Sequence, residues 1–303
     1  MRSLRPALVS ALGVCLIFIA SSLFAQRTFV SAVTGNDANP CTRSSPCRTF
    51  AAAIAAVAAG GEVIALDSGG YGAFTVSKAV SVETPAGIYA GISAGSGDGI
   101  DVSAGASDVV VLRGLTIYGF GGANDGINFT SGAALYAESC VINGFSLYGI
   151  FQTGNGNLFL TDTTVRNGGS EGVTIEPSIA SNLSVDHCRF ENNITGLIVF
   201  DGVKASIRSS VASGNVNGFV EDALGTAPAE LNIENCMVTN NSGYGIFTVF
   251  SGPGTVRISG STVTGNGTGL RQASGHTIES FGDNHVRGNG NDISGTITIV
   301  PNN

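Results

Sequence analysis

A glycine followed by one large aliphatic or aromatic residue returns at Gly99-Ile100, Gly126-Ile127, Gly149-Ile150, Gly172-Val173, Gly196-Leu197, Gly218-Phe219, Gly245-Ile246 and Gly269-Leu270. Successive steps are 27, 23, 23, 24, 22, 27 and 24 residues. A unit of this size cannot bury its own apolar face and must stack on its neighbours, so the recurrence restricts the chain to a repeat architecture. Aligning on the glycine gives "LYAESCVINGF", "LFLTDTTVRNG", "LSVDHCRFENN", "LNIENCMVTNN" and "VRISGSTVTGN". Each has apolar residues at i and i+2, then a small or sulfur residue, another apolar residue, and Asn or Gly. Period two is the period of a strand.

Short strands separated by Asn and Gly turns, with each coil about 4.8 Å above the last, make a parallel β-helix around an apolar column. The expected fold class is all-β, a parallel β-helix with an N-terminal capping helix. In this reading glycine lets the chain turn a corner and the next residue points into the core. "TFAAAIAAVAAGG" (Thr49 to Gly61) is the one good helix after the leader: Thr49 caps it, Gly60-Gly61 end it, and Phe50, Ile54 and Val57 form its apolar stripe. It is expected to lie across the first coil as a lid. At the other end "GTITIVPNN" supplies a last strand whose edge Pro301 only weakly guards, which leaves self-association at the C-terminal coil open.

Residues 1–25 stand apart. Arg2 and Arg5 precede an uncharged apolar run to Ala25, which reads as a signal peptide directing the protein to the periplasm, the cell surface or the medium. An uncleaved anchor is the alternative. The three segments are then 1–25 signal, 26–72 N-terminal cap and 73–303 repeats. Without the leader, 12 Lys and Arg face 22 Asp and Glu, about −10. No cluster of cations is present to neutralise phosphates, which argues against nucleic acid and, beyond the leader, against anionic membranes.

Cys41 and Cys47, in "NPCTRSSPCRTF", are close enough to form a disulfide in an oxidising compartment. Cys140, Cys188 and Cys236 are each two repeats apart, too far to bond, and are expected to fill one inward column. His187, His276 and His285 read as solvated turn residues, and no ligand spacing points to a metal. In "TGNDANP", Asp37 either makes a turn or helps to bind a cation.

The segment Arg27 to Gly72 resembles the N-terminal strand, loop, cap helix and first coil of secreted right-handed β-helix proteins of the pectate-lyase-like superfamily, and the repeats from Ile100 onward resemble its repeat region. The resemblance implies a right-handed helix and polysaccharides as the ligand class; it is specific for fold and weak for activity. Galacturonan hydrolases of the superfamily carry Asn-Thr-Asp, Asp-Asp, Gly-His-Gly and Arg-Ile-Lys elements. The nearest strings here, "GHT" at Gly275 and "VRISG" at Val256, do not match them. Pectate lyases bind Ca²⁺ through clustered carboxylates beside an Arg, so Ca²⁺ is the one cofactor the resemblance suggests.

The alignment also says which outward residues neighbour each other. One ladder reads Arg113, Glu138, Thr161, Asp186, Arg208, Glu234, Ser259. Asp186, Arg208 and Glu234 on consecutive coils are the candidate catalytic group, with surface ion pairing as the alternative. A second column follows the Gly-Ile element: Asp101, Asn128, Phe151, Thr174, Ile198, Val220, Phe247, Arg271. Phe151, Ile198, Val220 and Phe247 are its candidate ligand-binding residues, unless the connections "EDALGTAPAE" and "SGPG" fold over them. The function expected is a scaffold without catalysis that holds a polysaccharide or a protein partner on a lateral face. The alternative is a lyase or hydrolase of an acidic polysaccharide.

Overall fold

The computed structural model describes residues 26–301 except 224, 250 and 251, so the leader lies outside the described residues. Three parallel sheets form a solenoid. Sheet A has twelve strands, from Arg27–Val30 through Gly61–Ala65, Val109–Arg113, Ser181–Asp186 and Glu230–Glu234 to Ile297–Ile299. Sheet B has ten and contains the Gly-Ile elements, from Phe74–Val76 to Asn291–Ser294. Sheet C, also of ten, runs from Gly69–Gly70 to His285–Val286. Because sheet A begins at Arg27 and continues unbroken, the cap and the repeats share one sheet.

Sequence period becomes register directly. Ile100, Ile127, Ile150, Val173, Leu197, Phe219, Ile246 and Leu270 stack in one inward column and are buried. The glycines before them act differently from the expectation. None has a left-handed φ. A Cβ would instead strike the next coil: 2.7 Å from Gly126 O at Gly99, 2.5 Å from Gly172 O at Gly149, 2.5 Å from Gly196 O at Gly172 and 2.7 Å from Gly269 O at Gly245. These glycines let successive coils approach. The corners are made elsewhere, by Ser139, Asp162, His187, Ser209 and Asn235, all at φ between 49° and 53°, each the first of two residues joining a sheet A strand to a sheet C strand.

The third corner, from sheet C to sheet B, is held by buried asparagines. Asn193, Asn215, Asn241 and Asn266 each accept from their predecessor and donate to a carbonyl: Asn215 Nδ2 gives 3.0 Å bonds to Phe190 O and Asn241 Oδ1. Such a column satisfies amides that burial would otherwise penalise. Cys140, Cys188 and Cys236 are buried free thiols, as expected. Thr163, Ser210 and Ser261 alternate with them, each hydroxyl accepting the N–H of the preceding cysteine. Burial pushes the thiols up to about 11, 12 and 11, so they are unreactive filling.

The lid is present. Helix α1, Phe50–Ala56, is capped by Thr49, whose hydroxyl accepts from Ala52 N at 3.2 Å, and Phe50 packs on Tyr71 and Phe74 over the first coil. It stops before Gly60 because Val57 turns extended into the core and the strand from Gly61 passes directly against it. Cys41 and Cys47 are bonded, with Cα atoms 4.6 Å apart. Asp37 serves the turn, accepting from Arg48 N (2.7 Å), Thr49 N (2.9 Å) and Thr49 Oγ1 (3.1 Å). At the opposite end Ile293 and Ile299 are exposed on edge strands. Among the described residues no helix is long and apolar enough to cross a membrane.

Candidate functional site

Both outward columns read from the sequence exist in the predicted register. On sheet A, Arg113, Glu138, Thr161, Asp186, Arg208, Glu234 and Ser259 are consecutive partners. Arg208 clamps Asp186 with two bonds, Nη2–Oδ2 at 2.8 Å and Nε–Oδ1 at 3.2 Å, and His187 Nδ1 lies 3.0 Å from the same carboxylate. The guanidinium bonds hold the Asp186 carboxyl below its usual range, and Asp186 in turn raises Arg208. A carboxylate lowered in this way is a poor base, and an arginine raised in this way a poorer one. Glu234 is on the next coil but forms no ion pair with Arg208. Asp186 and Arg208 therefore form a surface ion pair in which the guanidinium engages both carboxylate oxygens, and Glu234 stands on the next coil beside it.

On sheet B the outward column from Asp101 to Arg271 is continuous, but its apolar members differ in depth. Phe151 and Ile198 are half-buried; Val220 and Phe247 are buried. Val220 and Phe247 are thus corrected from exposed contact residues to support beneath the surface. The Tyr244 ring, 4.7 Å from that of Phe247, and the Arg271 guanidinium, 4.9 Å from the Tyr244 centroid, pack against Phe247. Tyr148 stacks on Phe151 in the same way, at 4.5 Å and 24°. Each tyrosine occupies the position just before its glycine, so the same offset puts a Tyr–Phe pair on sheet B twice, four coils or roughly 19 Å apart.

The N-terminal end of this face holds carboxylates that sequence reasoning missed. Asn128 Nδ2 bridges Asp98 Oδ2 (3.0 Å) and Asp101 Oδ1 (3.3 Å), and Asp98 Oδ1 accepts from Asp125 N (3.2 Å). Burial and the charge of Asp98 push Asp125 up to about 6; burial and the neighbouring Asp98 also raise Asp101. The signal was in the spelling: Asp98-Gly99-Ile100-Asp101 and Asp125-Gly126-Ile127-Asn128 place polar groups at matched offsets on adjacent coils.

His276 is the second correction. It is buried, not solvated, and its Nδ1 lies 2.6 Å from Glu221 Oε2, both side chains at 0% exposure. Gly252 N–H donates to Nε2 at 3.0 Å, so Nδ1 carries the proton of a neutral imidazole, and Ala223 N–H donates to the other carboxylate oxygen at 3.0 Å. Burial pushes Glu221 up to about 8 and His276 down, which disfavours two separate charges. Glu221 occupies an inward position between Val199 and Thr248, and the pair ties three successive sheet B to sheet A connections together. Among the described residues no group of three or more His, Cys, Asp or Glu is arranged to hold a metal ion.

Known structures share this architecture. Pectate lyase Pel9A superposes with a TM-score of 0.64 at 18% identity, over 86% of this chain and 75% of that one. XylC in complex with xylose gives 0.59 at 8%, over 84% and 68%. Tailspike protein 2 from Escherichia coli O157:H7 bacteriophage CAB120 gives 0.52 at 11%, over 80% of this chain and 43% of the tailspike. At these identities the likeness is one of fold. A comparison with curated protein sequences gives no significant match. The model of the right-handed beta helix region matches residues 99–290, well over half of the chain. The protein belongs to the right-handed β-helix family.

Proposed function

We propose that the outer face of sheet B binds an extended polysaccharide, lying along the solenoid axis between the Tyr148–Phe151 and Tyr244–Phe247 pairs. The observation that carries this is the repetition of one half-exposed tyrosine backed by phenylalanine at matched positions four coils apart. Tyrosine supplies a ring face for a sugar and a hydroxyl for its oxygens. Ile198 and Asn217 lie between, and Arg271 adds donors at the C-terminal end. One protein of this fold is XylC in complex with xylose and another is a pectate lyase, which supports saccharides as the ligand class. Calorimetric titration of a soluble oligosaccharide panel tests the reading: Tyr148→Ala and Tyr244→Ala should each weaken binding roughly tenfold, about 1.4 kcal/mol. Affinity unchanged in both, or capture of a protein partner by this face in place of any glycan, overturns it.

A second reading is favoured by one arrangement, the hydrogen-bonded group of Asp98, Asp101, Asn128 and Asp125, in which burial and mutual charge raise Asp125 and Asp101. Two nearby carboxylates, one raised to about 6, are the equipment of glycoside hydrolysis at mildly acidic pH, the protonated acid serving the leaving oxygen and the ionised one the sugar carbon or a water. Reducing ends released from a bound glycan, with the fall in rate above about pH 6 abolished along with most of the activity in Asp125→Asn, would establish it; no release between pH 4 and 8 would eliminate it.

A further inference from the structure

Sheet A carries a second outward lane that neither site above uses. Its members in register are Val111, Tyr136, Phe159, Ser184, Ser206, Asn232 and Arg257. The Tyr136 and Phe159 rings are 4.4 Å apart and 7° from parallel. That separation is close to the rise of one coil, so the stack runs along the solenoid axis and the rings stand up from the sheet. The far face of Phe159 then looks toward Ser184. Ser184 and Ser206 are small and exposed, and they floor a depression of about 260 Å³ whose rim includes Asp186, Arg208, Asn232 and Glu234. Asn182 and Lys204 flank the same two serines on the other side.

From these features we infer a second saccharide site on sheet A, independent of the sheet B face, that takes a neutral pyranose unit with its ring against Phe159 and its hydroxyls on the floor and rim. Stacking needs a flat, partly dry ring, and the Phe159 face supplies it. The floor offers the hydroxyls of Ser184 and Ser206; the Asp186–Arg208 pair offers acceptors and donors side by side, the arrangement that adjacent sugar hydroxyls match. Charge decides the class. Lys204 is paired with Glu230, Arg208 with Asp186, and Arg257 with Glu230 and Glu279. Glu234 has no cationic partner within ion-pair distance among the described residues, which leaves the trough with one negative charge in excess. Uronate or sulfated sugars are repelled there; neutral ones are not.

The test is calorimetric titration of the full chain at pH 7 with neutral xylo-, manno- and cello-oligosaccharides and with an oligogalacturonate. Neutral oligosaccharide should bind, and Phe159→Ala should weaken it about tenfold. Ser206→Gln, which fills the trough without touching the core, should do the same, while Tyr148→Ala leaves this site unaffected. Thermal unfolding of the variants separates loss of the site from loss of the fold, and Ser206→Gln keeps the test decisive if Phe159→Ala unfolds. Neutral binding in a Tyr148→Ala/Tyr244→Ala background that survives Ser206→Gln, preference for oligogalacturonate in that background, or no binding sensitive to Ser206 overturns the inference. Binding lost only in Tyr148→Ala and Tyr244→Ala would overturn it while leaving the sheet B reading intact.

Discussion

Gly149→Ala isolates the reason for the recurrent glycine. A Cβ there would lie 2.1 Å from Val165 Cγ1 and 2.5 Å from Gly172 O, where ordinary contacts start near 3.4 Å. Val165 can yield only by leaving its rotamer, at roughly 0.5–1.5 kcal/mol. The carbonyl cannot yield without parting two coils, since Gly149 N donates to Glu171 O and Gly149 O accepts from Ile127 N, both at 3.0 Å. Overpacking of this kind costs about 1–3 kcal/mol. The lower entropy of the unfolded alanine chain returns roughly 0.4–1 kcal/mol. The net expectation is a loss of about 2–3 kcal/mol, read as a lower urea midpoint by circular dichroism. Gly95→Ala is the control: its φ is not left-handed, nothing lies within 4 Å of its Cβ, and it should be neutral or slightly stabilising. A Gly149→Ala midpoint within about 0.5 kcal/mol of wild type would show that the glycines do not set coil approach.

Three further outcomes are expected. Asp125 titrates near 6 when folded against an ordinary 3.8, so its contribution is complete below about pH 4 and lost as pH rises through 6. Wild type should therefore lose up to about 3 kcal/mol relative to Asp125→Asn across that window in urea titrations at each pH, and parallel profiles would contradict the shift. His276→Leu leaves Glu221 Oε2 and Gly252 N without their partner; it should lower stability by about 2–4 kcal/mol and speed proteolysis of the connection at 252–254, whereas an unaltered midpoint would remove the pair from the stabilising contacts. Ile299, 66% exposed on the last strand of sheet A, should promote association through that edge; sedimentation should show size rising with concentration, and Ile299→Lys should abolish the rise. A wild-type chain of constant size would refute this.

Register was legible because a strand alternates its side chains strictly and each coil must repeat the alternation of the one below it. Arg113 to Ser259 on sheet A and Asp101 to Arg271 on sheet B could be written down from spacing alone, and so could the inward cysteines. Depth was not legible. Phe151 and Phe247 occupy equivalent positions, yet one is half-buried and the other buried, because depth depends on how neighbouring side chains and connections pack over each position. His276 and Glu221 are 55 residues apart, and the contact joins a sheet B strand to a connection two coils further on, so no period pointed to it.

The amino-acid order alone determined the winding of the chain, its core columns, its N-terminal lid and its cysteine bond, since all follow from local alternation, a fixed repeat or short spacing. The tertiary structure alone decided that the glycines govern the approach of coils, that Asp186 is spent on Arg208, that Asp98, Asp101 and Asp125 crowd together, and that Tyr136 and Phe159 stack on the coils leading to the Ser184–Ser206 depression. Those outcomes depend on distances between coils and on packing over the faces, quantities that a periodic pattern leaves undetermined.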